Sequence, residues 1–405
     1  MIKAKIIYLL AEPLTKRDYL RFGVERLGEI FREVEIWELS AILSTSGKNL
    51  GHDHPHKVSR IQSIEELRNR LSTLTSVDEL ICIGIFSNMH SFRQLKVRSL
   101  VSKSVTQISA VSFASLPIAK NSIIKPAEIT TFEKLRRKVS KHIIEGLLVR
   151  KFLSIAHILR QKYPRIIRVR TIDRIWYSTV FSEIPSLFIG KNTLLRAVHH
   201  FDYDLTISEG KNVSISGEQV VLIDSMGPAH PDFDSGFYLD VPDFEVWRAE
   251  VLKALDKIEG HLNSRIQIAA HPSSTQAKST ETYGGRISFL GRTCSMVRES
   301  SLVVILEGST AVNFAVIFRR PILFVDSPIF DPRLRNLNLE LSRQLQMPIL
   351  RLDIPNFDFS IPEVDENLYR GYQERYIKLP NTPEKDFWST VALDYLRYFG
   401  SLDIN

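Results

Sequence analysis

The sequence predicts an α/β protein built from two successive doubly wound units, and three observations carry that prediction. The chain has 405 residues, more than one hydrophobic core of roughly 250–300 residues sustains. Strand-length apolar runs alternate with helix-period stretches twice, first over 5–111 and again over 219–325, the pattern of parallel sheets covered on both faces. The charge divides in the same way: residues 1–200 sum to +16 and residues 201–405 to −9, within a net +7. Domains are therefore expected at 1–213 and 214–380, with 381–405 forming a last helix placed to cross back to the first domain.

Composition narrows the class further. At 44% hydrophobic and 24% charged the chain can bury a core, which excludes disordered and collagen-like proteins. Cys82 and Cys294 are the only cysteines, so a disulfide framework and a multi-thiolate metal site are both excluded, and a reducing cytoplasm is the expected location. The apolar run after the first lysines covers only 6–11, and the stretch 301–318 is broken by Glu307, Gly308 and Asn313. Neither is a signal-peptide core or a bilayer span. Any contact with a membrane is expected from the surface, at the inner face of the plasma membrane.

In the first unit, a strand over 5–10 leads to a turn at Glu12 and Pro13, and Leu20, Val24, Leu27 and Phe31 recur at helical spacing. A strand over 34–37, a helix over 64–74, a strand over 80–86, a helix over 92–101 and a strand over 106–111 follow. Residues 91–170 then carry 18 basic side chains against three acidic ones, Glu128, Glu133 and Glu145. Phe132, Leu135, Val139, Ile143, Leu147 and Ile155 recur at near-helical steps among those bases, so 129–160 reads as one or two basic amphipathic helices. Two readings stay open: a helix packed on its own domain with a solvated basic face, or a face for an anionic membrane surface, through 129–170.

The second unit reads as a strand over 219–224, a helix over 244–258, a strand over 266–270, a short strand at 286–290 and a short helix at 294–299. A strand over 302–306, a helix opening at Ser309 and a strand over 322–325 complete a second Rossmann-like alternation. Prolines at 328, 332, 348, 355, 362 and 380 mark 327–380 as irregular, and a helix over 384–399 closes the chain.

Chemistry is expected where strands end, because open parallel sheets place ligands outside their carboxyl edges. His271, Pro272 and Ser273 follow the 266–270 strand, and Gly308, Ser309 and Thr310 follow the 302–306 strand. Gly308 lets the backbone turn closely. Ser309 and Thr310 offer hydroxyls and amides at a helix start, where phosphate oxygens are favoured. A donating His271 would neutralise charge on a departing phosphate. Each has a plainer reading, a helix cap for the Ser-Thr pair and a turn for His-Pro. The combination favours a site. His230, with Asp232 and Asp234 beyond it, follows the first strand of this unit and borders the same edge or forms an acidic turn. Arg292 and Thr293 contact a nucleotide, or Thr293 caps the helix after it.

Four blocks extend the argument. Residues 220–233 (VVLIDSMGPAHPDF), 266–274 (IQIAAHPSS), 285–293 (GRISFLGRT) and 302–325 (LVVILEGSTAVNFAVIFRRPILFV) resemble bacterial surface-carbohydrate biosynthesis proteins, as does AVHHFDYDLTIS at 197–208. These are glycosyltransferases of polysaccharide and lipopolysaccharide assembly with the GT-B architecture, two Rossmann-like domains whose parallel sheets face a cleft. The resemblance covers roughly 170–330 and reaches the first half by architecture alone. More loosely, the His-Pro and Ser-Thr blocks are similar to those of bacterial sialyltransferases, which implies His271 on the phosphate of a CMP-sugar and Ser309 and Thr310 as further phosphate contacts. Those enzymes carry an acidic-acidic-Gly motif for the general base. None occurs here, since Glu145-Gly146, Glu209-Gly210, Glu259-Gly260 and Glu307-Gly308 each lack a second acid before them.

The resemblance implies a nucleotide-sugar donor, a saccharide or lipid-linked saccharide acceptor, no bound cofactor and no catalytic metal. A base must come from the first domain. By topology Glu12 is placed best, just after the first strand, and Asp18 next, although an acid there also suits a helix start. His52, His54 and His56 alternate as metal ligands on an extended segment do, but the interleaved Gly51 and Pro55 favour a loop. Two other functions fit the same features: a nucleotide-sugar epimerase or hydrolase, or a basic binding protein. Against nucleic acid, residues 91–170 carry few aromatics to stack bases, Phe92, Phe113, Phe132, Phe152 and Tyr163.

Overall fold

The structure, a computed structural model, describes residues 1–43, 58–86, 91–104, 106–112, 116–117, 141–162, 170–179, 184, 186–209, 219–230, 242–354, 359–361 and 363–402. The chain divides into two compact units, Met1–Ala114 with Ile129–His199 and Asn381–Asn405, and Ser115–Glu128 with His200–Pro380.

The first unit holds strands β1 (Ile2–Leu10), β2 (Phe31–Glu38), β3 (Val58–Arg60), β4 (Glu79–Ile83), β5 (Gln107–Ser112), β6 (Arg174–Tyr177) and β7 (Leu194–Ala197). They pair in the order β3-β2-β1-β4-β5-β6-β7, every pair parallel. The second unit holds β8 (Val220–Ile223), β9 (Ile266–Ala270), β10 (Ser288–Leu290), β11 (Leu302–Ile305), β12 (Ile322–Asp326) and β13 (Ile349–Arg351). Their order is β10-β9-β8-β11-β12-β13, again all parallel. Two Rossmann-like parallel sheets in one chain is the GT-B-like composition that the sequence predicts.

Central strands read as unbroken apolar runs because helices cover both their faces. Alternate residues then feed different cores. Val221, Ile223, Val303 and Ile305 pack with Tyr203, Val312 and Tyr369, whereas Val220, Leu222, Leu302 and Val304 pack with Trp247 and Leu255 on the other face. In the first unit, Ile7, Leu9, Leu80 and Val97 share a core with Val149 and Leu153 of helix Lys141–Lys162. The last helix, Phe387–Leu402, lies within this unit. Its Tyr395 ring stands edge-on 5.1 Å from Phe31 and 5.1 Å from Trp176, and Trp388 Nε1 donates to the Arg21 carbonyl at 2.7 Å. A buried Arg174 donates to Glu79 at 2.9 Å and lies 3.8 Å from the Tyr398 ring centre.

Several elements differ from expectation, each for a local reason. The helical spacing read across 19–31 is two short helices, Lys16–Arg21 and Val24–Gly28, because Gly23 breaks them at φ 58°, and Phe31 opens β2. The proline-rich 327–380 is largely ordered into helix Pro332–Leu345, β13 and helix Glu366–Tyr376. Pro332 occupies the first helical turn, where its missing N–H costs nothing, and Asp331 caps it by accepting from the Arg333 amide at 2.8 Å. The helix expected to open at Ser309 begins at Val312 instead. Strands β3, β6 and β7, of three or four residues, were too short to show a period.

Candidate functional site

Each sheet has a switch point where neighbouring strands lead away in opposite directions, between β1 and β4 and between β8 and β11. Ligands of open parallel sheets collect outside the carboxyl ends at such points. In the second unit the segments that leave β8, β9 and β11 meet there, and a single buried acid ties two of them together.

That acid is Asp224, immediately after β8. Its Oδ1 accepts from the Met226 amide at 2.7 Å and the Tyr283 hydroxyl at 2.7 Å, and its Oδ2 accepts from the His271 amide at 3.1 Å and the Ser279 hydroxyl at 3.1 Å. The carboxylate is thereby fully occupied with holding the β8 and β9 loops in register. Burial, with the Asp224 charge beside it, pushes the Tyr283 phenol well up, so it remains a donor. Met226 and Gly227 both take left-handed φ, 61° and 49°, and a Cβ on Gly227 would stand 2.3 Å from the Trp247 ring. Only glycine lets this loop lie on that indole.

The arrangement brings His230 and His271 together, their ring centres 4.9 Å apart and 74° between planes. The Ser273 amide donates to His271 Nδ1 at 3.1 Å. A neutral ring that accepts there carries its proton on Nε2 and presents a donor. Pro272 and Ser273 are exposed in the tight turn that Ser274 closes on the His271 carbonyl at 2.9 Å.

After β11, Gly308, Ser309 and Thr310 form a half-exposed turn. Ser309 Oγ accepts from the Ala311 amide at 3.2 Å, and the Ser309 and Thr310 carbonyls accept from Val312 and Asn313. Helix Val312–Ile317 has six residues, so it offers little macrodipole; hydroxyls and turn amides are what this segment presents to an anion. Gly308 is a packing requirement, since a Cβ would stand 2.5 Å from Leu337. Asn338 fixes the strand end by donating to the Leu306 and Val325 carbonyls at 2.7 and 3.2 Å.

Beside this turn lies Glu307, which the sequence offered as a break in an apolar stretch and as one half of an acid-Gly pair, without a role at the site. Glu307 is buried, and burial raises its carboxyl to about 7, with Asp331 and Asp224 adding to the rise and Ser225 and Trp247 opposing it. Glu307 Oε1, Ser225 Oγ and Trp247 Nε1 each lack a full hydrogen bond among the described residues. Asp224 and Glu307 both end an apolar strand with a buried acid, the one sequence signal that could have singled them out.

Arg292 and Thr293 lie apart from this group. They follow β10, two strands from the switch point, with the exposed Arg292 guanidinium 5.2 Å from the Phe289 ring centre. Arg292 is the cap residue of helix Thr293–Glu299 and Thr293 its first residue, so Thr293 does not cap it. Asp232, Asp234 and the three histidines at 52, 54 and 56 lie outside the described residues. No three His, Cys, Asp or Glu side chains converge as a metal requires, among the described residues.

In the first unit, Glu12 is exposed just beyond β1, at the β1/β4 switch point. Its loop is pinned by the buried Glu38, which accepts from the Leu14 amide at 3.3 Å and the Ser40 hydroxyl at 2.7 Å. Asp18 is a helix-start acid, bonded to Thr15 Oγ1 at 2.6 Å. Glu145 lies within helix Lys141–Lys162 and accepts from the Phe92 amide at 2.7 Å.

No family model and no curated protein matches the chain. Among solved structures it is similar to MurG of Acinetobacter baumannii, at 8% identity over 98% of this chain and 99% of that one, TM-score 0.44. It is similar to the calicheamicin glycosyltransferase CalG4 at 11% identity over 99% of each, TM-score 0.43. A UDP-glucosyltransferase from Polygonum tinctorium aligns at 10% identity over 98% of this chain and 93% of that one, TM-score 0.42.

Proposed function

We propose that the chain is a glycosyltransferase of the GT-B class that takes a sugar from a nucleotide-sugar donor and passes it to a saccharide or lipid-linked saccharide of surface polysaccharide assembly. The observation that carries this reading is the convergence at the β8/β11 switch point: a histidine whose Nδ1 accepts from the Ser273 amide, a second histidine 4.9 Å away, and a Gly-Ser-Thr turn. Such a set suits the phosphates of a donor better than an apolar ligand. His271 and the Ser309 and Thr310 hydroxyls would hold the departing phosphate as negative charge develops on it, and His230 would border the same group. Neutral donors are enough for this in a unit whose half of the chain carries −9.

Glu12 is the assigned general base. An acceptor hydroxyl gives its proton to that carboxylate as its oxygen attacks the anomeric carbon, and the bond from that carbon to the donor phosphate breaks. The basic first half, at +16, favours an anionic lipid-linked acceptor and a peripheral position on an anionic membrane, where each nearby Lys or Arg contributes about 1 kcal/mol. No helix among the described residues is long and apolar enough to cross a membrane.

The test is nucleotide binding followed by transfer. One of CMP, UDP or GDP should raise the midpoint of thermal unfolding, because a ligand of the folded state stabilises by about 2.7 kcal/mol at 100 times its Kd. His271→Ala should remove most of that shift and reduce transfer by about 100-fold or more. Absence of a shift with all three nucleotides overturns the donor site. Donor consumption without any acceptor points instead to a hydrolase or epimerase.

A further inference from the structure

The first unit contains a cavity of about 420 Å³, within the size range of ligand pockets. Helix Phe92–Lys103, helix Lys141–Lys162 and the short turn Ser186–Phe188 enclose it. Its floor is buried, made by Leu153, Leu187 and Phe188, with the buried Arg98 guanidinium 5.2 Å from the Phe188 ring centre. Along one wall, helix Lys141–Lys162 turns Phe152, Ile155 and Leu159 outward, Phe152 52% and Ile155 48% exposed. With Leu148 they stand at i, i+4, i+7 and i+11, a continuous apolar stripe left 39% to 53% exposed.

The other end of the cavity has a different chemistry. Ser102 lines it, 5% exposed, and its Oγ has no hydrogen-bond partner among the described residues. Exposed Lys103 and Arg170 stand at the same rim. Arg170 shares its charge with Asp173 at 3.2 Å, and Lys103 adds a second cation. An apolar trough with a hydroxyl and two cations at one end matches one kind of molecule: a single long chain that ends in an anion able to accept hydrogen bonds.

We propose that this cavity binds the alkyl or isoprenyl chain of a lipid phosphate, chain along Phe152, Ile155 and Leu159, phosphate at Ser102, Lys103 and Arg170. The proposal rests on the reading above in which the acceptor carries a lipid, and it gives that lipid a place and a headgroup.

The experiment titrates the full chain with n-decyl phosphate by calorimetry, beside inorganic phosphate and neutral n-decyl maltoside. Decyl phosphate should bind with one site per chain, inorganic phosphate should not bind at the same concentration, and the maltoside should bind about tenfold more weakly or worse. Ser99→Trp places an indole at an exposed rim position and should reduce decyl phosphate affinity by about tenfold or more without lowering the unfolding midpoint. Lys103→Gln should reduce the preference for phosphate over maltoside, with Arg170 keeping part of it. Equal binding of inorganic phosphate, unchanged binding by Ser99→Trp, or binding only to anionic vesicles would each overturn the cavity assignment. The nucleotide-induced thermal shift, followed in the same variants, reports on the transfer reading separately: its loss with decyl phosphate binding intact defeats that reading alone.

Discussion

Glu307 shows how much one buried carboxyl can decide. With its carboxyl held up to about 7 by burial, against an ordinary 4.5, the folded state keeps a proton that the unfolded chain releases between those two values. The contribution of Glu307 to stability should therefore fall as pH rises from 4.5 to about 7, by about 3 kcal/mol, and level off above. Glu307→Gln, neutral at every pH, should flatten that part of the profile; the difference between the two denaturation curves across pH 4–8 isolates this residue. An identical slope in both proteins would show that folding leaves the Glu307 carboxyl at its ordinary value. The sequence displays Glu307 and Asp224 as strand-ending acids, but burial is a property of the packed sheet. That Asp224 would accept four hydrogen bonds depends on Ser279 and Tyr283, 55 and 59 positions away.

At the scale of elements, a glycine sets how the last helix meets the first sheet. Gly23 lies at φ 58°, and a Cβ there would come within 2.1 Å of Trp388 Cγ. Gly23→Ala adds a left-handed alanine to an overpacked contact, and should cost about 2–4 kcal/mol in denaturant titration. A loss below 0.5 kcal/mol, roughly that of a neutral surface change, would mean that the Trp388 ring shifts at no cost. Long strands and helices with clean periods were legible in advance, as β1, β9 and helix Phe244–Leu262 illustrate. Helix Pro332–Leu345 was not, because proline in a first turn and proline as a breaker look the same until the Asp331 cap is seen. The Ser309 turn illustrates the opposite error: hydroxyl residues before an apolar run suggest a cap, yet the helix waits until Val312. For the candidate site, strand-end topology brought His230, His271 and Ser309 to notice, whereas Arg292 was drawn in by loop position and lies two strands away.

Across the whole molecule, the chain leaves the first unit at His199 and re-enters it at Asn381. Truncation after residue 380 removes the aromatic cover of Phe31 and Trp176 and leaves the buried Glu79–Arg174 pair without the Tyr395 and Tyr398 rings. Amide exchange in the shortened chain should accelerate in β1, β2 and β6 while β8 and β11 keep their protection. Uniform acceleration in both sheets would show that the two units unfold as one.

The same path of the chain imposes an order on synthesis. The last strand of the first sheet ends at Ala197, but the helix that closes its aromatic face begins at Phe387. At about 5–20 residues per second the nascent first unit waits on the order of 10 s or more with that face uncovered, while residues His200–Pro380 of the second unit emerge. The unit made first is thus the one completed last, and its exposed Phe31 and Trp176 are what a chaperone at the ribosome would meet.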